Sequence, residues 1–337
     1  MDNLLEIIGG FPQGASPKQI MQCVALSRPT LNRRLVEELA RGAIVVKGKG
    51  PATRYAVADP LAAQRAYFDK PYTERTIARY REELLEVEPG LAEAALASLG
   101  NLPLYSMDKR GLGKFLIDFS CASSVLEGGT YSLLDTLALI EYGEKATGKP
   151  IEDAFLVLNH KEAFEFLHDN PRLDSIFRVH DLLTNDHDLP QLQSSRHFLT
   201  KPFRGTPREH TDVDIALSTY IPPFRPGTGY VGKMLDRILD RAASIANPLQ
   251  AAFYLLTRIP YLQPFQDGNK RTSRAMCNVP LLQANLPPVS FVDFGKRDYI
   301  VSMLAFYELG DARLAEACFT EAYNRSVGRL GVKRKPS

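Results

Sequence analysis

The sequence contains no tryptophan and only four cysteines among its 337 residues. The cysteines form no Cys-x-x-Cys pair, which argues against a disulfide framework and against a zinc ribbon. We expect buried thiols at all four positions, Cys23, Cys121, Cys277 and Cys318. No apolar run reaches the roughly 18 to 20 residues of a membrane-spanning helix, and an acid follows Met1 where a secretion signal carries positive charge. The sequence therefore predicts a cytoplasmic protein that contacts no membrane.

The charge of the chain is unevenly distributed. The formal net charge is only +2, yet residues 16–57 contain eight basic side chains and only two acidic ones, Glu37 and Glu38. A compact basic module on a mildly acidic body is typical of a protein in which one domain meets a polyanion. A solvated basic surface is the alternative. The length of the chain predicts two or three domains.

Residues 1–58 carry the signals of a small domain. Leu4–Ile8 begins a short helix, Ser16-Pro17 starts a second, and Ser27-Arg28-Pro29-Thr30 starts a third that Gly42 ends. Two β-rich runs follow, at residues 43–46 and 54–57, with a turn between them. This order resembles a winged helix-turn-helix domain.

The winged-helix resemblance implies DNA binding through two groups of polar side chains. The start of the third helix would reach base edges in a major groove, and the hairpin would contact phosphates. The first group is Arg28, Thr30, Asn32, Arg33 and Arg34, and the second is Lys47, Lys49 and Arg54. Winged helices also serve as protein interaction modules, and that alternative stays open.

The rest of the chain is predicted to be mainly α-helical. Residues 59–104 have helical spacing and are interpreted as a helical connector, in which the charged stretch Glu74–Glu88 forms a solvated helix face. Residues 105–325 form a helical bundle, interrupted by a β-hairpin where apolar residues alternate over Asp212–Pro223. Residues 326–337 form a basic tail.

The most informative segment runs from Ile259 to Arg274. Gly268 and Asn269 tolerate unusual backbone angles at a turn that enters a helix near Lys270. A helix N-terminus binds phosphate, and Arg271 and Arg274 lie on one helical face and add charge-assisted hydrogen bonds. Asp267 supplies a hard oxygen ligand suited to a Mg²⁺ that bridges phosphates. The segment therefore predicts a site for the phosphates of a nucleotide.

The same segment resembles the Fic family, whose signature is His-Pro-Phe-x-(Asp/Glu)-Gly-Asn-(Gly/Lys)-Arg with a second arginine after it. The resemblance spans about residues 105–320 and implies transfer of AMP from ATP to a protein hydroxyl, with Mg²⁺ on Asp267. It places Gln263 and Arg271 at the catalytic positions. It implies nucleotide contacts from Phe265, Gly268, Asn269, Lys270, Arg271 and Arg274.

Two further segments resemble parts of the same family. The run from Ser123 through Glu127 to Gly128 fits its inhibitory pattern, on a helix near residues 120–128, and implies that Glu127 pairs with Arg274 and denies it to the γ-phosphate. Ser218, Thr219 and Tyr220 resemble the flap, which would hold a protein target by β-strand addition. Glu127 at an ordinary helix end is the alternative for the first segment.

The chain departs from the family signature at Gln263, where the family has a histidine that accepts the proton of the target hydroxyl. A glutamine amide has no useful basicity at neutral pH. Of the six histidines, His210 is the one expected as a substitute, while His168 and His180 lie on apolar helix faces and are expected to pack. We therefore expect a DNA-binding regulator that binds ATP with weak or absent adenylylation. An active adenylyltransferase inhibited by Glu127 is the alternative, and a homodimer stays open.

Overall fold

The computed structural model describes residues 4–100, 102 and 104–332. The fold is mainly α-helical, as predicted, and includes a small β-hairpin. Contacts divide the chain into two compact units, with the division between Ala66 and Tyr67. None of the helices formed by the described residues combines the length and the apolar character needed to cross a bilayer.

The first unit contains three helices and the hairpin in the predicted order. These are α1 (Leu4–Gly9), α2 (Pro17–Cys23), α3 (Arg28–Ala40), β1 (Ile44–Lys47) and β2 (Arg54–Val57). The two strands pair antiparallel, from Ile44 opposite Val57 to Lys47 opposite Arg54.

Local sequence explains where the helices of this unit begin. The Ser16 side chain accepts a hydrogen bond from the amide of Gln19 and forms a capping box with it, and Ser27 caps α3 by accepting from the amide of Thr30. Apolar residues from every element then fill one core, among them Leu4, Ile8, Ile20, Leu31, Leu35 and Ile44. Cys23 is exposed, so the expectation of four buried thiols is wrong for this residue, which ends α2 outside the core.

The charged stretch Glu74–Glu88 does not form the predicted solvated helix. It contains the strand β3 (Ala78–Arg79) and a 3₁₀ turn at Glu82–Leu85, and α4 (Ala62–Tyr67) and α5 (Glu93–Leu99) lie before and after it. The physical reason is Arg258, a fully buried arginine that donates hydrogen bonds to backbone carbonyls of this stretch. The acceptors are the carbonyl oxygens of Leu84, Glu86 and Val87, and Arg258 also donates to the carbonyl of Pro89 just after the stretch.

The helices after residue 104 form the bundle of the second unit. Their bounds are α6 (Lys109–Glu127), α7 (Leu133–Tyr142), α8 (Ile151–Asp169), α9 (Ile176–Leu183), α10 (Pro190–Gln193), α11 (Tyr230–Ser244), α12 (Pro248–Leu262), α13 (Asn269–Met276), α14 (Asn278–Gln283), α15 (Lys296–Leu304) and α16 (Arg313–Arg329). A π-helical turn at Ala305–Leu309 follows α15.

Helix α12 lies at the centre of this bundle. Every residue from Leu249 to Leu262 is buried, and the helix packs against α11, α13, α14 and α16. A helix that is apolar on all sides is typical of a core position. The segment with the chemical motif therefore starts at the end of a fully buried helix.

The segment Asp212–Pro223 does not pair with itself as a hairpin. Its strand β4 (Tyr220–Ile221) pairs in parallel with β3, with Ala78 opposite Tyr220 and Arg79 opposite Ile221. The polar groups before β4 are bonded to Glu308, which accepts from the Ser218 hydroxyl at 2.8 Å and from the Thr219 amide at 3.2 Å. The alternation of apolar residues predicted a strand correctly, but its partner comes from the distant stretch before residue 81.

Candidate functional site

Residues 263–268, called here the motif loop, join α12 to α13. Gln263 ends α12 in the left-handed region at φ 52°, and Gly268 begins α13 at φ 75°. A Cβ at Gly268 would lie 2.7 Å from Cγ2 of Thr184 and 3.3 Å from Nε2 of His180. Both the backbone angle and the neighbours therefore require glycine at this position.

Replacing Gly268 with alanine is expected to lower the free energy of unfolding by about 2 kcal/mol, from left-handed strain and crowding together. Gly229→Ala is the matched control, because Gly229 also precedes a helix at φ 62° but a Cβ there would meet no atom within 4 Å. The control should lose about 1 kcal/mol from strain alone. Urea unfolding measures the free energy of unfolding of both variants. Equal losses in the two variants would contradict the claim that crowding by Thr184 and His180 contributes at Gly268.

His180 holds the motif loop from α9 and was expected only to pack. Its Nδ1 accepts a hydrogen bond from the Gly205 amide at 2.8 Å, so Nε2 carries the proton and donates to the Asp267 carbonyl at 3.0 Å. Its ring stacks on Phe265, with 3.8 Å between centroids. Burial lowers the pKa of His180 to about 3, so the ring is neutral at physiological pH. Helical spacing predicts its buried face, but nothing in the sequence identifies its partners.

Two buried arginines of α13 point in different directions. Arg271 donates from Nη1 to the Leu183 carbonyl at 3.1 Å and from Nη2 to Oδ2 of Asp267 at 2.7 Å. Arg274 donates from Nη2 to Oε1 of Glu127 at 2.7 Å. The side chain of Arg274 also donates to the Ser123 hydroxyl and to the Tyr299 hydroxyl, at 2.9 Å and 3.1 Å.

Glu127 is the last residue of α6, and Gly128 ends that helix in the left-handed region at φ 108°. Burial alone would raise the pKa of Glu127, but the charge of Arg274, with smaller contributions from Lys270 and Arg271, outweighs burial and lowers it well below its usual range. The carboxylate is therefore ionised at physiological pH. The contact between Glu127 and Arg274 is the pairing that the family resemblance implies.

A small cavity of about 30 Å³ lies over the N-terminus of α13. Its lining residues are Glu127, Gln263, Asp267, Gly268, Asn269 and Lys270. This volume is close to that of one water molecule, whereas pockets for small-molecule ligands measure about 300–1,000 Å³. The Glu127 carboxylate therefore takes up part of the space over the helix N-terminus.

Asp267 has the chemistry of a magnesium ligand but stands alone. Its side chain is 47% exposed and bonded to Arg271. No group of three or more His, Cys, Asp or Glu side chains that could hold a metal ion occurs among the residues that the structure describes. A single carboxylate fits Mg²⁺ in the usual nucleotide geometry, in which phosphates and water supply most ligands.

One edge of β4 is paired with β3, and on the other edge one backbone amide has a partner within the chain. On one edge the amides of Ala78 and Tyr80 donate to the carbonyls of Thr219 and Ile221, at 3.1 Å and 3.0 Å. On the other edge the Tyr220 amide donates to the Ser218 hydroxyl at 3.2 Å. The next residue that would face outward there is a proline, Pro222, which has no amide hydrogen. That edge therefore offers few free amide hydrogens, and strand addition at Ser218, Thr219 and Tyr220 stays a prediction.

The residues predicted to bind DNA all lie on α3 or on the hairpin. Arg28, Asn32, Arg33, Lys47 and Lys49 are exposed, and Thr30, Arg34 and Arg54 are half-buried. The Thr30 hydroxyl is hydrogen-bonded to the Ser27 hydroxyl at 2.8 Å, and Arg33 lies 3.9 Å from the Glu37 carboxylate. His210, the expected substitute base, is exposed in the segment before β4.

The second unit is a helical bundle in which a glycine-asparagine turn begins a helix with two buried arginines. These features can be compared with known families of domains. Residues 171–281 match the model of the Fic/DOC family. The chain therefore contains a Fic/DOC domain.

Curated relatives align with part of the chain. Protein adenylyltransferase Fic of Nematostella vectensis is 26% identical over 208 residues, which cover 59% of this chain and 44% of that protein. Protein adenylyltransferase fic-1 of Caenorhabditis elegans is 26% identical over 200 residues, covering 56% of this chain and 36% of that protein. The chain thus aligns with less than half the length of these relatives.

Solved structures support the fold. Fic-1 (residues 134–508) from C. elegans superposes with a TM-score of 0.52 at 19% identity, over 93% of this chain and 81% of that one. A Fic family protein from Desulfovibrio desulfuricans G20 superposes with a TM-score of 0.51 at 20% identity, over 66% and 67% of the two chains.

Proposed function

We propose that the Fic/DOC domain binds ATP with its phosphates at the N-terminus of α13, and that Glu127 opposes this binding. The contact that carries the proposal is the 2.7 Å hydrogen bond from Arg274 to Glu127. In this contact a carboxylate accepts the hydrogen bond that a phosphate of bound ATP would otherwise accept from Arg274. Calorimetry with ATP and Mg²⁺ tests it. Heat of binding is expected once the Glu127 carboxylate is removed and should disappear again when Arg274 is also changed to alanine.

Magnesium would be held by Asp267 together with the phosphates, and would supply charge neutralisation between them. The protein residues would do the positioning: Arg271 and Arg274 would orient the phosphates, and the amides of α13 would contact them.

We further propose that adenylylation by this chain is weak or absent, because Gln263 stands where the family resemblance places the proton acceptor. Its amide is neutral and its two polar atoms are bonded inside the protein. The Asp267 carboxylate lines the same cavity, but it accepts a hydrogen bond from Arg271 and is the residue proposed to hold Mg²⁺.

An active protein adenylyltransferase is the second candidate, and the names of the curated relatives favour it. In that case a group other than Gln263 would accept the proton of the target hydroxyl. The two candidates differ in the rate of AMP transfer and not in ATP binding, so binding data alone do not separate them.

The first unit is proposed to be a winged helix-turn-helix domain that binds DNA, which would make the chain a regulator. Support comes from the exposed basic side chains of α3 and the hairpin, and from the excess of six positive charges over residues 16–57. Helix α3 would lie in the major groove, and Lys47 and Lys49 would contact phosphates.

Neutralising Arg33, Arg34 and Lys49 together is expected to weaken binding to a 30-base-pair mixed-sequence duplex at least tenfold and to flatten its salt dependence. Gel shifts at several salt concentrations measure both. Neutralising three exposed cations of the second unit, Arg110, Lys145 and Lys233, is the control, because it removes the same charge. Binding that is absent or insensitive to salt would contradict the regulator proposal.

A further inference from the structure

Gln263 is a buried glutamine whose side-chain nitrogen and oxygen each make a hydrogen bond. Its Nε2 donates to the Pro260 carbonyl at 2.7 Å, and its Oε1 accepts from Nδ2 of Asn269 at 2.8 Å. The Pro260 carbonyl can only accept, so the orientation of the amide is determined by its partner. That carbonyl belongs to the last turn of α12, where backbone oxygens have no partner inside the helix. One side chain therefore joins the end of α12 to the start of α13.

Asn269 links the Gln263 side chain to the motif loop through hydrogen bonds with Phe265. Its Oδ1 accepts from the Phe265 amide at 2.9 Å, and its Nδ2 donates to the Phe265 carbonyl at 2.9 Å as well as to Gln263. The Asn269 side chain thus supplies hydrogen-bond partners for the backbone amide and carbonyl of Phe265. These groups lie in a loop, where no helix or strand provides partners for them. The backbone of Phe265 and the Oε1 of Gln263 together fix which way the Asn269 amide points.

The main chain around Gln263 is held separately by Arg208, which is buried and provides contacts that the motif does not reveal. Arg208 donates from Nε to the Gln263 carbonyl at 2.7 Å, and its backbone amide donates to the Pro264 carbonyl at 2.8 Å. A change confined to the side chain of Gln263 leaves these backbone contacts in place. The role of the side chain can therefore be tested without unfolding the turn.

We propose that Gln263 is a positioning residue, whose amide orients Asn269 and so holds the motif loop in the shape that receives phosphate. The proposal rests on nucleotide binding at α13 and assigns this residue a role other than proton transfer. It follows that the side chain must both donate and accept a hydrogen bond. A residue of the same size that can do neither should loosen the loop.

The test uses a Glu127→Ala parent chain, ATP with Mg²⁺, and two substitutions of nearly equal size. Gln263→Met removes both hydrogen bonds and should weaken ATP binding about tenfold at pH 5 and at pH 8. Gln263→Glu is ionised at pH 8, where its carboxylate can accept a hydrogen bond but not donate one, so it should bind ATP about tenfold more weakly than the parent at that pH. Gln191→Glu, at an exposed position, controls for added charge.

Hydrogen exchange of the Phe265 amide gives a second reading that needs no nucleotide. The exchange should be at least tenfold faster in Gln263→Met than in the parent, because the acceptor on Asn269 is no longer held. If the parent gives no heat with ATP, the nucleotide proposal fails and the exchange rate alone decides the role of Gln263. Parent-like affinity of Gln263→Met, or parent-like exchange where no ATP binds, would overturn the inference.

Discussion

The substitution Glu127→Ala is expected to raise the affinity of the chain for ATP about 100-fold. The carboxylate now holds Nη2 of Arg274 at 2.7 Å and closes the space over α13 to about 30 Å³. Removing it frees one donor of the arginine and takes a negative charge away from the path of the triphosphate. A hydrogen bond between charged groups contributes about 1.5–3 kcal/mol, and a factor of 100 corresponds to about 2.7 kcal/mol. Calorimetry with ATP and Mg²⁺ measures the change.

The control for this prediction is Glu141→Ala. Glu141 is exposed and lies two residues before Gly143, which ends α7 in the left-handed region at φ 72°, so it shares the local setting of Glu127 without the arginine. Lowering the pH to mildly acidic values should not raise the affinity for ATP in the way that Glu127→Ala does. The pKa of Glu127 is depressed in the folded chain, so its contact persists above that pKa and is lost only well below pH 4. Equal ATP affinity in Glu127→Ala and the unchanged chain would contradict inhibition by this carboxylate.

The substitution Gln263→His, made in the Glu127→Ala chain, is expected to raise the rate of AMP transfer by about 10²- to 10⁴-fold. An imidazole with an ordinary pKa near neutrality can accept the proton of an attacking hydroxyl, which an amide cannot, and general-base catalysis contributes about this factor. Incorporation of label from α-labelled ATP into protein, at saturating ATP, measures the rate. Saturation matters because a histidine keeps at most one of the two hydrogen bonds that Gln263 makes.

Gln191→His in the same parent provides the comparison for an added histidine outside the site. If the Glu127→Ala chain already transfers AMP as fast as the chain with Gln263→His, the missing base is irrelevant. The active adenylyltransferase would then be the better description, and the proton acceptor would have to be sought elsewhere.

Signals that lie close together in the sequence predicted their structures well. The serine caps at Ser16 and Ser27 and the turn before α13 depend on neighbours within a few residues, and the elements begin where those signals stand. The pairing of Glu127 with Arg274 spans 147 residues, and it could be predicted only from the family resemblance.

The features that sequence reasoning missed depend on single distant side chains. Residues 74–88 have helical spacing, but Arg258 takes up their carbonyls and a helix would need those same oxygens. The strand β4 finds its partner more than a hundred residues earlier. His180 was recognised as a buried residue, yet its contacts with Gly205 and Asp267 follow from tertiary packing that no local pattern encodes.

The parallel pairing of β4 with β3 limits how another extended chain could approach this strand. The carbonyls of Thr219 and Ile221 already accept from β3, so such a chain could reach only the opposite edge of β4. There the Tyr220 amide is bonded to the Ser218 hydroxyl and Pro222 has no amide hydrogen, so that edge offers few backbone donors. Near that strand, Leu217 and Phe224 present exposed apolar side chains.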